Sequence, residues 1–120
     1  MQYVTTEGAQ GICPPGWHIP KLAEFQTLSS SVSGDGNALK AVGQGTGTNT
    51  SGFSALLAGS RDEYGSFLFL GQYSFFWSSK ENDPMFAINL YLIYNENGIN
   101  LNGGSKEHGL SVRCLKDSGD

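Results

Sequence analysis

Two histidines and one acidic pair are the first side chains to weigh for acid–base chemistry. His18 lies in the phrase Trp-His-Ile-Pro, His108 lies in Lys-Glu-His-Gly, and Asp62 precedes Glu63 directly. A general acid or base needs a partner that tunes its pKa and a position within reach of substrate. We expect a packed structural His18, a solvated His108, and a surface ion-pair patch of Asp62 and Glu63 with Arg61. No serine has a nucleophile-elbow setting and no helix carries paired histidines. The sequence therefore predicts no catalytic residues and a protein that is not an enzyme.

A short acidic and amide cluster follows Trp77 and is the candidate for a cation site. Glu81, Asn82 and Asp83 carry oxygen atoms of the kind that calcium accepts. A calcium site takes six to eight oxygen ligands, and one cluster of three side chains supplies too few. We therefore expect no metal and no cofactor, and keep calcium binding as an alternative.

The C-terminal third is rich in residues suited to recognition. Tyrosine and phenylalanine give contact area at low entropic cost, and asparagine adapts its hydrogen bonds to different ligands. The alternatives are that Phe86 and Tyr91 belong to the core and that asparagine marks turns. The predicted ligand-binding face consists of Asn82, Asp83, Met85, Phe86, Asn89, Tyr91, Tyr94, Asn97, Asn100, Asn102, Glu107 and His108.

The two cysteines, Cys13 and Cys114, stand near opposite ends of the chain. Neither belongs to a Cys-x-x-Cys pair, and neither has zinc-finger spacing to other ligands. A disulfide between them would close a loop of about 100 residues, worth up to about 4.7 kcal/mol in the chain-entropy model. We predict this disulfide and an oxidising compartment, with two buried thiols in a cytosolic protein as the alternative.

Composition and charge limit the remaining partners. The chain has 120 residues, which fits one domain spanning 1–120, and its net charge of −4 with no basic run argues against nucleic-acid binding. No apolar stretch reaches the length of about 20 residues that spans a bilayer. The N-terminus lacks the features of a secretion signal. We expect a secreted or surface protein whose signal or anchor lies outside this chain.

The first third of the chain predicts two helices. Leu22, Phe25, Leu28 and Val32 recur at helical spacing after Pro20, which indicates a helix over 21–31. A second, short helix is predicted over 37–42, ended by a glycine.

The rest of the chain predicts strands in an α+β arrangement. Asn-Gly at 97–98 suits the positive φ of a hairpin turn. The predicted strands lie at 67–70, 73–77, 87–94, 99–101 and 110–114.

Several phrases along the chain resemble one family. The chain between residues 11 and 117 resembles the Fibrobacter succinogenes major paralogous (FISUMP) domain. The phrases occur in order, with the residues at 13–20 (CPPGWHIP), 24–28 (EFQTL), 38–41 (ALKA), 52–56 (GFSAL), 76–79 (FWSS) and 109–114 (GLSVRC), together with Gly59 and Arg61.

This resemblance implies a C-type-lectin-like fold, with two N-terminal helices packed on a twisted, mostly antiparallel sheet. Calcium-dependent lectins of that fold are similar to one another in a Glu-Pro-Asn loop, which this chain lacks. Formylglycine-generating relatives need reactive cysteines close together in a site, whereas Cys13 and Cys114 are expected to bond to each other.

Residues 77–115 also resemble the variable region of proteins diversified by retroelements. In such proteins a fixed frame carries interspersed positions derived from asparagine codons, and six of the eight asparagines here lie between Asn82 and Asn102. The resemblance implies a protein or glycan ligand on another cell or particle. The predicted function is therefore a non-catalytic binding module, with a structural or adhesive surface module or a degenerate sulfatase-modifying enzyme as alternatives.

Overall fold

A computed structural model of the chain describes residues 4–118, in which one α-helix is followed by a series of short and long strands. The predicted single domain of 1–120 includes residues 1–3 and 119–120, which lie outside this range. The elements are β1 (Trp17–His18), α1 (Leu22–Ser31), β2 (Ser60–Arg61), β3 (Phe67–Leu68), β4 (Tyr73–Asp83), β5 (Phe86–Ile93), β6 (Asn100–Ser105) and β7 (Leu115–Lys116).

The strands form three small antiparallel sheets, ordered β1–β7, β2–β3 and β4–β5–β6. In the largest sheet Phe75 pairs with Tyr91 and Tyr91 pairs with Asn100. Isolated bridges from Arg61 to Gly109 and from Phe76 to Ser111 connect the smaller pieces to it. The long β4–β5–β6 sheet is therefore the frame on which the other segments are arranged.

The predicted helix over 21–31 is confirmed as α1. Its start is fixed by Glu24, whose Oε1 accepts a hydrogen bond of 2.8 Å from the backbone N–H of Lys21. An acidic side chain in the first turn also complements the positive end of the helix dipole. Phe25 is the buried residue of the helix and packs into the core.

The prediction of two helices packed on one twisted sheet, in a C-type-lectin-like α+β fold, is wrong. The segment predicted as a helix over 37–42 holds only a 3-10 turn at Gly36–Ala38. The predicted helix does not continue past the 3-10 turn because the following backbone groups form hydrogen bonds to a distant segment. Ala41 N–H donates to Ala55 O, and Ala55 N–H donates to Leu39 O. Tertiary hydrogen bonds thus replace the local ladder that a second helix would require.

The strand prediction over 73–77 is confirmed, and β4 continues to Asp83. The predictions over 87–94, 67–70 and 99–101 are confirmed in part, since β5 ends at Ile93, β3 ends at Leu68 and β6 runs from Asn100 to Ser105. The predicted strand over 110–114 is wrong, because that segment makes one bridge and the paired strand β7 lies at Leu115–Lys116. The hairpin between β5 and β6 is confirmed, but neither Asn97 nor Gly98 adopts a positive φ. The connection is longer than the two-residue loop that requires that conformation.

Two apolar clusters hold the described part of the chain together. The main core packs Phe76, Leu90 and Leu92 of the sheet against Phe25 and Leu39. The second cluster surrounds the disulfide between Cys13 and Cys114, whose Cα atoms are 5.8 Å apart. The predicted disulfide is thus present, and it fastens the segment before β1 to the segment before β7. No helix within residues 4–118 is long and apolar enough to cross a bilayer.

Candidate functional site

The face of the β4–β5–β6 sheet that points away from the main core carries a cavity of about 500 Å³. We call it the aromatic cavity. It is lined by Ser60, Leu68, Phe69, Tyr73, Phe75, Trp77, Phe86, Asn89, Tyr91, Asn102, Gly103, Gly104, Ser105, His108 and Leu110. Pockets lined mainly by apolar and aromatic side chains with a few polar groups are typical of ligand sites.

Strand alternation positions the floor of the cavity. Successive side chains of a strand point to opposite faces, so residues two apart share one face. The register aligns Phe75 with Tyr91, and it aligns Trp77 with Asn89 and Asn89 with Asn102. One row of aromatic rings and one row of amides thus lie side by side across the three strands.

Four aromatic rings form a connected cluster along one side of the cavity. The rings of Tyr73 and Phe75 stack with centroids 5.5 Å apart, and Phe75 lies 5.9 Å from Tyr91. Phe69 meets Tyr73 edge-on at 5.0 Å. Because each ring is held by a neighbour, the cluster presents a shape that is formed before any ligand arrives.

Phe69 adopts a backbone conformation that is uncommon for its residue type. Its φ is +63°, in the left-handed region that bulky side chains rarely occupy. This conformation ends the short β3 and turns the Phe69 ring toward Tyr73 and Phe75. Strained backbone of this kind concentrates at functional sites, and here it positions one ring of the aromatic cavity.

Asn89 is the buried polar residue of the cavity. It is 5% exposed, and its Oδ1 has no hydrogen-bond partner among the described residues. A Cβ atom on Gly104 would lie 2.7 Å from Asn89 Nδ2 and 3.6 Å from the Trp77 ring, so glycine is required beside this amide. A buried acceptor without a partner costs about 1–3 kcal/mol, which makes Asn89 a costly choice for a purely structural position.

At the edge of the cavity, His108 Nε2 lies within hydrogen-bond distance of Glu63 Oε2, at 2.8 Å. Both side chains are partly exposed. The sequence predicted a solvated His108 and a pairing of Glu63 with Arg61. In the structure Glu63 instead contacts His108, and Arg61 lies over the ring of Phe67.

The structure brings together five of the twelve residues predicted for the binding face. These are Phe86, Asn89, Tyr91, Asn102 and His108, which all line the aromatic cavity. Phe86 is 42% exposed and neither it nor Tyr91 belongs to a core cluster, so the alternative that both are core residues is not supported.

The other predicted residues lie outside the cavity lining. Asp83 shapes the turn before β5, because its Oδ1 accepts hydrogen bonds from the N–H groups of Met85 and Phe86. Asn100 donates to Tyr91 O from within the sheet, and Asn97 lines a separate cleft beside Asn37. The remaining predicted residues are the exposed Asn82, Met85, Tyr94 and Glu107.

The aromatic half of the cavity is absent from the predicted binding face. Phe69, Tyr73, Phe75 and Trp77 lie in predicted strands but are not among the predicted site residues. The available signal was alternation: Tyr73, Phe75 and Trp77 are two residues apart, which puts three large rings on one face of a strand.

Lys40 is a buried polar residue that helps to hold the fold. Lys40 is completely buried, and its Nζ donates to Asn37 Oδ1 at 3.0 Å, to Glu96 O at 2.7 Å and to Ile93 O. Burial lowers the pKa of Lys40, and the nearby charges of Asp35 and Glu96 offset part of that effect. The ammonium group therefore serves as a crosslink between the 3-10 turn and the end of β5.

His18 links three segments of the chain. Its Nε2 lies 2.8 Å from Glu24 Oε1, and its Nδ1 lies 2.6 Å from Asp117 Oδ1. Burial by itself lowers the pKa of His18, but the hydrogen bonds and charges of the two carboxylates raise it above its ordinary value of 6.5. Within residues 4–118, no group of three or more His, Cys, Asp or Glu side chains could hold a metal ion.

Comparison with known proteins identifies the family. Residues 2–116 match the family described as the Fibrobacter succinogenes major domain. The chain belongs to this family. No curated protein and no solved structure matches the chain. The description of the Fibrobacter succinogenes major domain names no ligand and no reaction.

Proposed function

We propose that this domain is a non-catalytic binding module that recognises a protein or glycan ligand through the outer face of the β4–β5–β6 sheet. The observation that supports it is the aromatic cavity, in which Phe86, Asn89, Tyr91, Asn102 and His108 come together. Aromatic rings supply area, and amide groups supply adaptable hydrogen bonds, which is the combination found in recognition surfaces.

The chemistry of the cavity favours binding over catalysis. Among its described lining residues, His108 is the one histidine, and its Nε2 contacts Glu63 Oε2 on the exposed side. General acid–base catalysis requires a titratable group within hydrogen-bond reach of the reacting atoms. The cavity amides of Asn89 and Asn102 can donate and accept hydrogen bonds but cannot transfer a proton as an acid or base.

Secretion or surface display is part of the same proposal. The disulfide between Cys13 and Cys114 is compatible with an oxidising compartment. Diversification by a retroelement, which the resemblance of residues 77–115 implies, also stays a prediction. It is tested by sequencing paralogous genes, where differences should concentrate at Asn89 and Asn102 and spare Trp77.

The test is an array screen of the oxidised domain against glycans and surface proteins, run with calcium and again with chelator. We expect binding that survives the chelator. Tyr91→Ala and Asn102→Ala should each weaken it, because both residues line the cavity. The matched control is Tyr64→Ala, since Tyr64 is an aromatic residue that is 86% exposed and lies outside the cavity lining.

Each other outcome identifies a different function. Binding that the chelator abolishes would contradict the proposal and favour a calcium site at Glu81, Asn82 and Asp83. Equal affinity of the wild type and of Tyr91→Ala would show that the ligand does not bind in the aromatic cavity. If the domain binds no glycan and no protein on the array, the alternative of a structural module without a single ligand is favoured.

A further inference from the structure

We propose that the aromatic cavity and the free edge of β6 bind an extended, uncharged segment of a protein partner, which adds to the sheet as a fourth strand. This inference rests on the proposed function, because it names the class of ligand for the same surface. The partner backbone would pair with β6, and side chains on one face of the added strand would enter the cavity. Main-chain pairing then gives affinity, while the cavity gives specificity.

The edge of β6 is open along its described length. The three-stranded sheet has the order β4–β5–β6, so β6 has a strand neighbour on one side only. Residues 100–104 make no backbone hydrogen bond to any segment other than β5 within residues 4–118. The N–H of Gly103 donates instead to the Oδ1 of Asn102, at 2.9 Å. This bond from a neighbouring side chain is one that an incoming carbonyl oxygen can replace.

The edge also lacks the features by which proteins protect exposed strands. Edge strands that must stay unpaired carry lysine, proline or inward charges. The sequence of β6 is Asn-Leu-Asn-Gly-Gly-Ser, which contains none of them. Gly103 and Gly104 have no side chains, so another backbone can approach this part of the edge closely.

The open edge and the cavity are parts of one surface. Asn102, Gly103, Gly104 and Ser105 belong to β6 and also line the aromatic cavity. A strand laid along β6 would therefore place its side chains on this face beside Asn102 and Gly104, across which long side chains reach toward Tyr91 of β5. The cavity lining carries no Asp, Glu, Lys or Arg. A charged partner side chain would lose its hydration there without gaining an opposite charge, so the fitting segment is uncharged.

The arrangement of the rings favours a peptide over a sugar. A pyranose binds an aromatic ring by placing its C–H groups on the electron-rich face of that ring. One face of the Tyr73 ring and one face of the Phe75 ring are turned to each other, since the two rings stack at 23°, and the ring of Phe69 lies against the same pair. Aliphatic and aromatic peptide side chains need only apolar area and a matching shape, which the edges of these rings provide.

The experiment uses linear peptides displayed on phage, about twice the six-residue length of β6, panned on the oxidised domain. Selected peptides are synthesised, and their affinities are measured for the wild type and for variants. We expect uncharged sequences in which apolar residues alternate. Phe86→Ala and Tyr91→Ala should each weaken binding about tenfold, the loss of one well-packed aromatic anchor. Tyr64→Ala should bind the same peptides as the wild type does.

Strand addition is tested by a pair of variants at one position. Gly103→Pro removes the N–H that faces away from the ladder, and Gly103→Ala retains it. A Cβ atom at position 103 would lie 2.8 Å from Nδ2 of the exposed Asn82, whose side chain has to shift in both variants alike. Proline is tolerated at edge positions where no ladder bond is lost, so both variants should fold, as checked by thermal unfolding. We expect Gly103→Pro to lose about tenfold in affinity, since a hydrogen bond and the approach to the edge are lost. Gly103→Ala should stay close to the wild type.

A second measurement changes the peptide and leaves the protein intact. Methylating the backbone nitrogens of alternate peptide residues should abolish binding for one alternating set and spare the other, because only one set faces β6. Equal effects of the two sets, or equal affinity of Gly103→Pro and Gly103→Ala, would overturn strand addition. Glycans that bind through Tyr91, with no peptide selected, would overturn the inference while leaving the proposed function standing. Loss of all peptide and glycan binding would contradict both.

Discussion

The two faces of the β4–β5–β6 sheet use the same strands for opposite purposes. On the inner face, Phe76, Leu90 and Leu92 are at most 7% exposed and pack under Phe25 and Leu39. On the outer face, Phe75 and Tyr91 stay half-buried, because among the described residues only the ring of Phe69 packs against that end of the face from outside the sheet. Residues that are adjacent along β5 thus belong to different environments.

The difference shows that apolar content alone does not identify the core. Both faces carry large apolar side chains, but only the inner one is covered by α1 and the segment around Leu39 and Ala55. The outer face holds its rings in place by mutual contact and by the strained Phe69. A surface that is ordered and apolar but uncovered is typical of an interaction site.

The largest expected effect comes from adjacent substitutions on β5. Leu90→Ala should lower the free energy of unfolding by about 3 kcal/mol, because it opens a cavity in the fully buried core. Tyr91→Ala should cost about 1 kcal/mol, since its ring is half-buried and keeps only ring–ring contacts. Urea unfolding of the oxidised domain measures both values.

If Tyr91→Ala lowered the free energy of unfolding as much as Leu90→Ala does, the two faces would not differ, because both would belong to the core. For the affinity of ligand binding, we expect the opposite order of effects. Tyr91→Ala should lose affinity for array probes or selected peptides at temperatures where Leu90→Ala remains folded and binds.

A smaller effect is expected at two buried oxygen atoms that lack partners. Ser74 Oγ and Asn89 Oδ1 accept no hydrogen bond within the described residues, and the two side chains are at most 5% exposed. Ser74→Ala and Asn89→Leu should therefore leave stability unchanged or raise it by up to about 1 kcal/mol, since each removes an unsatisfied group. Thermal unfolding monitored by circular dichroism measures the change.

The same pair of variants separates stability from recognition. Asn89 lines the aromatic cavity and Ser74 does not, so only Asn89→Leu should weaken ligand binding. Strong destabilisation by Asn89→Leu would mean that its amide has a structural partner, and the outer face would lose its distinguishing polar residue.

The smallest expected effect lies at His18, away from both faces. The pKa of His18 in the folded protein is raised by Glu24 and Asp117, above the ordinary 6.5. Its stabilising contribution is therefore fully present below pH 6.5 and is lost as the pH rises through the raised pKa. Partly exposed pairs of this kind contribute at most about 1 kcal/mol.

Unfolding measured across this pH range should show the decline in the wild type and not in His18→Gln. Ligand binding should not change with the protonation of His18, because this residue does not line the aromatic cavity. A binding affinity that changes as His18 titrates would show that the contacts of His18 with Glu24 and Asp117 influence the outer face.

Local pattern was enough to predict part of the fold and part of the site. The spacing of Leu22, Phe25 and Leu28 predicts α1, and the alternation over 87–94 predicts β5. Alternation also put Asn89 and Tyr91 on one face. The second predicted helix failed because Ala41 and Ala55 form tertiary hydrogen bonds, which local propensity does not include.

The sequence by itself determined the family, the helix after Pro20, the long hairpin strands and the cysteine pair, since these depend on local periodicity and on a few distinctive residues. Only the tertiary structure decided which face of the sheet is covered. The alternation of residue types predicts that the two faces of the sheet differ. Which face becomes buried depends on where segments distant in the sequence pack against it. The meeting of Phe69 with Tyr91, and the open edge of β6, follow from that packing.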